Sequence, residues 1–300
     1  MDSYRACSYY FKNPLSRDPM IIDAHTHISP PEIRNNREKF FEGEENFRLL
    51  YEDPRSMLVG AAELVNELDS WSADRAVSFG FPWSDAGKEI LCNDYVLDAG
   101  KRFPERIIPF ACVNPLRGRS AIQEARRCLE AGARGVGEVA TYHDGLGAGV
   151  REKIAPLAEL CADAGVPLLL HTNKPVGHHY PGKAQMSPRD LYDLVKAHPR
   201  TLWIFAHMGG ALFVFHLLKK EADEVLKNVY YDTAALPYLY KPEVFRAFAA
   251  SAGIGRLLYG SDYPLLGLPR YKKAMEEGGL TEEEKAAVLG NNLAALLGPK

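Results

Sequence analysis

The sequence has no long apolar run. Nothing in it approaches the roughly 18 consecutive apolar residues of a membrane-spanning helix. The opening stretch MDSYRACSYYFKNPLSRDPM contains no continuous hydrophobic segment of the signal-peptide kind. Charge of one sign is not in excess: 36 basic against 39 acidic residues leave a net charge of −3. That balance gives no reason to expect nucleic acid or an anionic membrane as a partner. Cysteine is sparse and unpatterned. Cys7, Cys92, Cys112, Cys128 and Cys161 are odd in number, scattered and without a CxxC pair. A disulfide framework is therefore not expected, and reduced, buried thiols in a cytoplasmic protein fit better. Also missing is a G-x-G-x-x-G after the first apolar segment, which argues against a dinucleotide-binding open sheet. What remains is 300 residues, 46% hydrophobic and 25% charged, a composition suited to one large globular domain or two small ones.

Eight short apolar segments recur along this chain. They span 20–25 (MIIDAH), 75–82, 106–114, 133–140, 166–172, 202–208, 229–235 and 256–262. Amphipathic stretches separate them, and the longest gap follows the first. Residues 56–71 place Leu58, Ala61, Ala62, Val65 and Leu68 on one helical stripe. Residues 120–132 open with Ser120 and Gln123 at capping-box spacing and close on Gly132. Residues 187–199 carry Ser187 as N-cap, Pro188 at the first helical position and Pro199 as a stop. Residues 281–298 begin with Thr281 and Glu284, again at capping-box spacing. Strands alternating with helices build a parallel sheet with right-handed crossovers. Eight such units predict an α/β fold, a (β/α)8 TIM barrel forming a single domain over 20–300 with an insertion after strand 1. An open doubly wound sheet is the structural alternative. Residues 1–19 stand apart as an N-terminal extension whose YRACSYYF aromatics are expected to be partly packed.

In such barrels chemistry sits at the C-terminal ends of the strands. There the sequence offers His25 and His27 on strand 1, Glu138 on strand 4, His171 on strand 5, His207 on strand 6 and Asp262 on strand 8. Strand 7 carries Asp232. Period-two alternation puts His25 and His27 on one side, where two imidazoles can chelate one ion. Each residue alone has an ordinary explanation: a histidine at a strand end is more often a hydrogen-bonded structural group. Glu138 could cap the next segment, Asp262 could be a turn residue, and Asp232 could cap a helix. Their coincidence at the same end of successive strands favours a metal site, since His, Asp and Glu are the ligands of zinc and related divalent ions.

DAHTH (23–27), LLLHT (168–172), AHMGG (206–210), YGSDYP (259–264) and the closing NNLAALLG (291–298) together resemble the amidohydrolase superfamily, in particular its amidohydrolase-related (amidohydrolase 2) branch. The resemblance runs from about Met20 to the C-terminus. It implies His25, His27 and Asp262 on one metal and His171 on the same or a second metal. It also implies that His207 is either a second-metal ligand or a catalytic acid or base. Many two-metal members carry a bridging carboxylated lysine on strand 4. Here ARGVGEVATYH has no lysine but has Glu138, and a subset of the superfamily bridges with glutamate. Glu138 and His207 together favour two ions. Zinc suits the donor set, with manganese, iron or nickel as alternatives. Relatives are frequently dimers, which makes a homodimer possible.

The expected activity is metal-dependent hydrolysis of a C–N or C–O bond in an amide, lactone or ester, with Asp262 and His207 as catalytic groups. A decarboxylase or hydratase on the same scaffold, a phosphoesterase or nuclease, and a non-catalytic barrel are the alternatives. The segment 29–54 and the loop 173–186 are long for connections at the catalytic face. Their Arg34, Arg37, Lys174 and His178, with Trp83 after strand 2, are expected to bind a small carboxylated substrate. Lys183 and His179 lie in the second loop as well.

Overall fold

The structure, a computed structural model, describes residues 19–298. The extension expected over 1–19 lies outside the described residues, save for its last residue. All eight expected strands are present: β1 (Ile22–His27), β2 (Arg75–Phe79), β3 (Ile107–Pro109) and β4 (Val136–Val139). They continue with β5 (Pro167–Leu170), β6 (Leu202–Phe205), β7 (Val229–Asp232) and β8 (Leu257–Leu258). Every pairing between neighbours is parallel. Two seams close the ring. Ala111 bridges to Val136 between β3 and β4, and Thr26 bridges to Tyr263 between β1 and the segment after β8. The second seam is reinforced by Ala24 N–H donating to Tyr259 O at 2.7 Å and His27 N–H donating to Tyr263 O at 2.8 Å. The protein is a (β/α)8 TIM barrel.

Strand alternation sorts the apolar side chains into two layers. Val77, Phe79, Ile108, Phe110, Leu169, Ile204 and Leu258 meet one another and fill the barrel. Ala76, Ile107, Leu168, Leu170, Trp203, Phe205 and Tyr231 face outward onto helix residues such as Leu64, Leu68, Val96, Leu157 and Leu191. Burial on both faces is why the strands read as near-continuous apolar runs. Among the described residues no helix is long and apolar enough to cross a membrane. Cys92, Cys112, Cys128 and Cys161 are buried and unpaired.

The expected helices differ in detail. The stretch 56–71 is helical over Ala61–Ser70. The helix at 120–132 begins earlier, at Arg119, with Gly118 as its cap at φ 59°. Ser120 thus falls inside the first turn, where its hydroxyl bonds Arg117 O, and its capping box with Gln123 does not form. Both other starts hold: Ser187 closes a box with Asp190, and Thr281 with Glu284. The last helix is broken into Glu282–Ala286, a π-turn over Ala287–Asn291, and Asn292–Leu297. It lies across the strand ends, and the carbonyl of Val288 accepts Tyr259 N–H at 2.8 Å. A Cβ on Gly290 would meet Met20 O at 2.0 Å, so only glycine permits that approach.

The insertion after β1 is a packed cap rather than a solvated loop. Its short helices Pro31–Arg34 and Glu45–Tyr51 bring Ile33 and Phe47, with Phe41 from the segment between them, onto Phe81 and Trp83, forming a small core of their own. Glu44 is its anchor. The buried carboxylate accepts Ser84 N–H at 2.9 Å and Asp85 N–H at 2.8 Å, tying the cap to the segment after β2. Glu44→Ala removes the acceptor of both backbone N–H groups and the partner of Lys88. It is expected to lower stability by about 1–3 kcal/mol in urea unfolding, and an unchanged midpoint would contradict the anchoring role.

Candidate metal centre

Four imidazoles and two carboxylates converge at the C-terminal mouth. The register of β1 against β2 shifts between Asp23 and Thr26, so the strand is not regular at His25. The two histidines nevertheless meet, with Nε2 atoms 3.2 Å apart. Asp262 Oδ1 stands 3.6 Å from His25 Nε2 and 3.3 Å from His27 Nε2. Glu138 Oε2 completes the group at 3.8 and 3.9 Å from the same nitrogens. The other oxygen of Glu138 faces a second group. Oε1 lies 2.9 Å from His171 Nδ1 and 3.8 Å from His207 Nε2, and those two nitrogens are 3.2 Å apart. Donors sharing one ion at about 2.0–2.2 Å stand roughly 3–3.6 Å from each other.

The far nitrogens decide which tautomer faces inward. His25 Nδ1–H donates to Asp232 Oδ2 at 2.9 Å, and His27 Nδ1–H to Gly80 O at 3.4 Å. His171 Nε2–H donates to Gly182 O at 3.1 Å, and His207 Nδ1–H to Ala234 O at 2.9 Å. With the far nitrogens so engaged, each ring can offer its inner nitrogen to a metal, the tautomer a ligand requires. Lone pairs facing lone pairs and carboxylates at these separations repel unless positive charge lies between them. The donor set fits a divalent metal.

The electrostatics agree. Burial pulls the His25 imidazole down, but Asp232, Glu138 and Asp262 outweigh it and hold it at about 10. Burial pushes Glu138 up, and His25, His171 and His27 outweigh it, holding the carboxyl at about 2. Asp262 is likewise held far below the usual carboxylate range by the surrounding histidines, against its burial. His207 is lowered by burial and by His171. With no cation between them these carboxylates hold a proton on His25, and a bound cation would take the place of that proton.

Backbone strain aims two of these side chains. His207, Met208, Gly209, Gly210 and Ala211 form a left-handed turn with φ of 55°, 61°, 61°, 56° and 76°. Each non-glycine residue there costs about 1–2 kcal/mol. The two glycines of AHMGG keep the turn within reach. A Cβ on Gly210 would meet Asn173 O at 2.4 Å. Asp232 Oδ1 secures the turn by accepting His207 N–H at 3.0 Å. Asp262 is also left-handed at φ 60°, its N–H bonded to His25 O at 3.0 Å. Strain of this kind collects at functional residues.

The amidohydrolase family model matches residues 22–298. The chain belongs to the amidohydrolase family. No curated protein matches this amidohydrolase-family sequence. Solved structures share its fold at low identity. A 5-carboxyvanillate decarboxylase from Sphingomonas paucimobilis is 15% identical with TM-score 0.70, covering 93% of this chain and 99% of its own. The enzyme of that name from Novosphingobium aromaticivorans, solved with manganese and 4-hydroxy-3-methoxy-5-nitrobenzoic acid, is 17% identical with TM-score 0.73, covering 93% and 96%. A probable 2-pyrone-4,6-dicarboxylic acid hydrolase from Acinetobacter baumannii is 15% identical with TM-score 0.59, covering 93% and 99%.

Above the donors of this family member opens a cavity of about 980 Å³. The residues expected to bind substrate are placed unevenly around it. His178 is exposed and lines it. Arg34 pairs with Glu63 outside the lining. Arg37 donates to Ser56 O at 2.8 Å and bonds other carbonyls of the insertion, which makes it a brace. Lys174 donates to Leu239 O at 3.3 Å and lies over the Tyr180 and Tyr240 rings. Trp83 is fully buried in the cap core, its indole N–H donating to Cys92 Sγ at 3.0 Å. Lining residues not foreseen from the sequence include Tyr51, Asp53, Arg55 and Tyr142. Asp232, read equally well as a helix cap, stands one layer behind the donors and holds His25 and His207 together. Asp232→Asn replaces an acceptor oxygen with an amide N–H₂. Metal affinity in chelator competition is expected to fall about 10–100-fold, and unchanged affinity would remove Asp232 from this role.

Proposed function

We propose that the chain is a metal-dependent hydrolase cleaving a C–N or C–O bond of an amide, lactone or ester, in which His25, His27 and Asp262 would hold one divalent ion, His171 and His207 a second, and Glu138 would be shared by both. The observation behind this reading is that the two oxygens of one buried carboxylate face two separate donor groups, His25, His27 and Asp262 on one side and His171 and His207 on the other. His207 is thereby a ligand, and Asp262 combines ligand and catalytic roles. The imidazole–carboxylate set suits zinc, and manganese, iron or nickel equally by donor type. When bound, such ions lower the pKa of an adjacent water from about 16 to about 7 and polarise a carbonyl oxygen.

The protein's own groups handle the proton. Asp262 is ionised at neutral pH, the histidines beside it holding its carboxyl below the usual carboxylate range against its burial. It takes a proton from the water whose oxygen bonds to the substrate carbonyl carbon. As the C–N or C–O bond breaks, the same carboxyl returns that proton to the departing nitrogen or oxygen. Glu138 balances cationic charge throughout. Asp232 and the Gly80, Gly182 and Ala234 carbonyls keep the rings from turning.

Decarboxylation is the second reading, supported by the reaction named for several solved relatives. A divalent ion at the same donors could hold the carboxylate of such a substrate. Hydrolysis is preferred here on the two-sided placement of Glu138 between the donor groups. Asp262→Asn keeps an oxygen donor but removes the proton acceptor. Turnover on the best ester, lactone or amide found by screening is expected to fall by about 10²–10⁴-fold with metal content kept. Turnover like that of the unaltered protein would contradict the mechanism, and release of carbon dioxide from an aromatic acid without hydrolysis of any ester would favour the second reading.

A further inference from the structure

The wall of the cavity is apolar where an acid-binding site would be basic. Three of the exposed large hydrophobic residues among those described stand at its mouth: Met57 at 57%, Tyr238 at 54% and Leu265 at 51%. Leu50, Phe81 and Leu239 continue the apolar surface within the cavity. Exposed apolar groups gathered at one opening mark a binding surface rather than chance.

The cations near the opening are already committed. Arg34 pairs with Glu63, and Arg37 and Lys174 serve backbone carbonyls. Lys183 donates to the carbonyls of Val176, Gly177 and His178 at 3.0–3.3 Å. Arg55 reaches the lining, where its exposed side chain pairs with Asp53 through contacts of 2.6–3.1 Å. The exposed His178 imidazole also lines the cavity and can donate to or accept from a neutral partner. Tyr51 and Tyr142 line the cavity, and neither hydroxyl has a hydrogen-bond partner among the described residues. A phenol there can donate to an uncharged ether, amide or ester oxygen.

We propose that the cavity takes a carbonyl compound with an uncharged, apolar body of aromatic size, whose end remote from the metal centre bears no acid group. This rests on the hydrolase reading and names its substrate class: neutral esters, lactones or amides rather than dicarboxylates. The chemistry is one of matching. An apolar body covers the exposed collar, whereas a remote carboxylate would lose water without gaining a free cation.

Binding tests this apart from turnover. 4-Phenylbutyrate and 4-(4-carboxyphenyl)butyrate both place one carboxylate at the metal centre and differ only at the far end. Calorimetry on protein loaded with manganese is expected to give at least about tenfold tighter binding of 4-phenylbutyrate. Equal or tighter binding of the diacid, or binding of neither, overturns the proposal. Asp53→Asn frees Arg55 and is expected to narrow the gap, and an unchanged gap contradicts the neutralising pair. The two readings fail differently. A protein that prefers 4-phenylbutyrate but hydrolyses no neutral ester loses the hydrolase reading alone. One that hydrolyses esters yet binds the diacid as well loses only this inference.

Discussion

The mouth of the barrel is organised around one buried carboxylate. Glu138 sits at the end of β4 with one oxygen toward His25 and His27 and the other toward His171 and His207. A carboxylate in that position is costly unless positive charge offsets it. The strained turn at His207, the left-handed Asp262 and the fixed tautomers of four rings all serve to bring charge and lone pairs to it. Stability is spent there for chemistry. The layered apolar core of the barrel, with Phe79 packed against both His25 and His27, holds the arrangement rigid.

Asp232 shows how the layers connect. Its two oxygens hold the His25 ring and the His207 backbone, so one residue on β7 ties together donor residues from β1 and β6. A site split over so many strands is stiff only when such cross-strand bonds exist.

The barrel was legible because strands buried on both faces must be apolar and must recur at a βα spacing. The donors were legible because function in this fold gathers at one end of the strands. His25 and His27 share one side of β1, as alternation expects, although the pairing of β1 with β2 shifts register between Asp23 and Thr26. Asp232 was ambiguous because a short carboxylate after a strand caps helices as readily as it orients ligands. Arg34, Arg37 and Lys174 have long side chains whose ends are decided by tertiary partners, here Glu63 and backbone carbonyls. Tyr51 and Tyr142 reach the cavity only because the insertion folds as a cap on Phe81 and Trp83. No local pattern in 29–54 announces that packing.

The direct test of the central claim is metal content. The protein is loaded with manganese or zinc, freed of loose ions by gel filtration, and its metal measured by mass spectrometry beside Glu138→Gln. The expected result is two ions per chain in the unaltered protein and one or fewer in the variant. A single ion per chain in the unaltered protein, or two retained in Glu138→Gln, would contradict a centre bridged by Glu138.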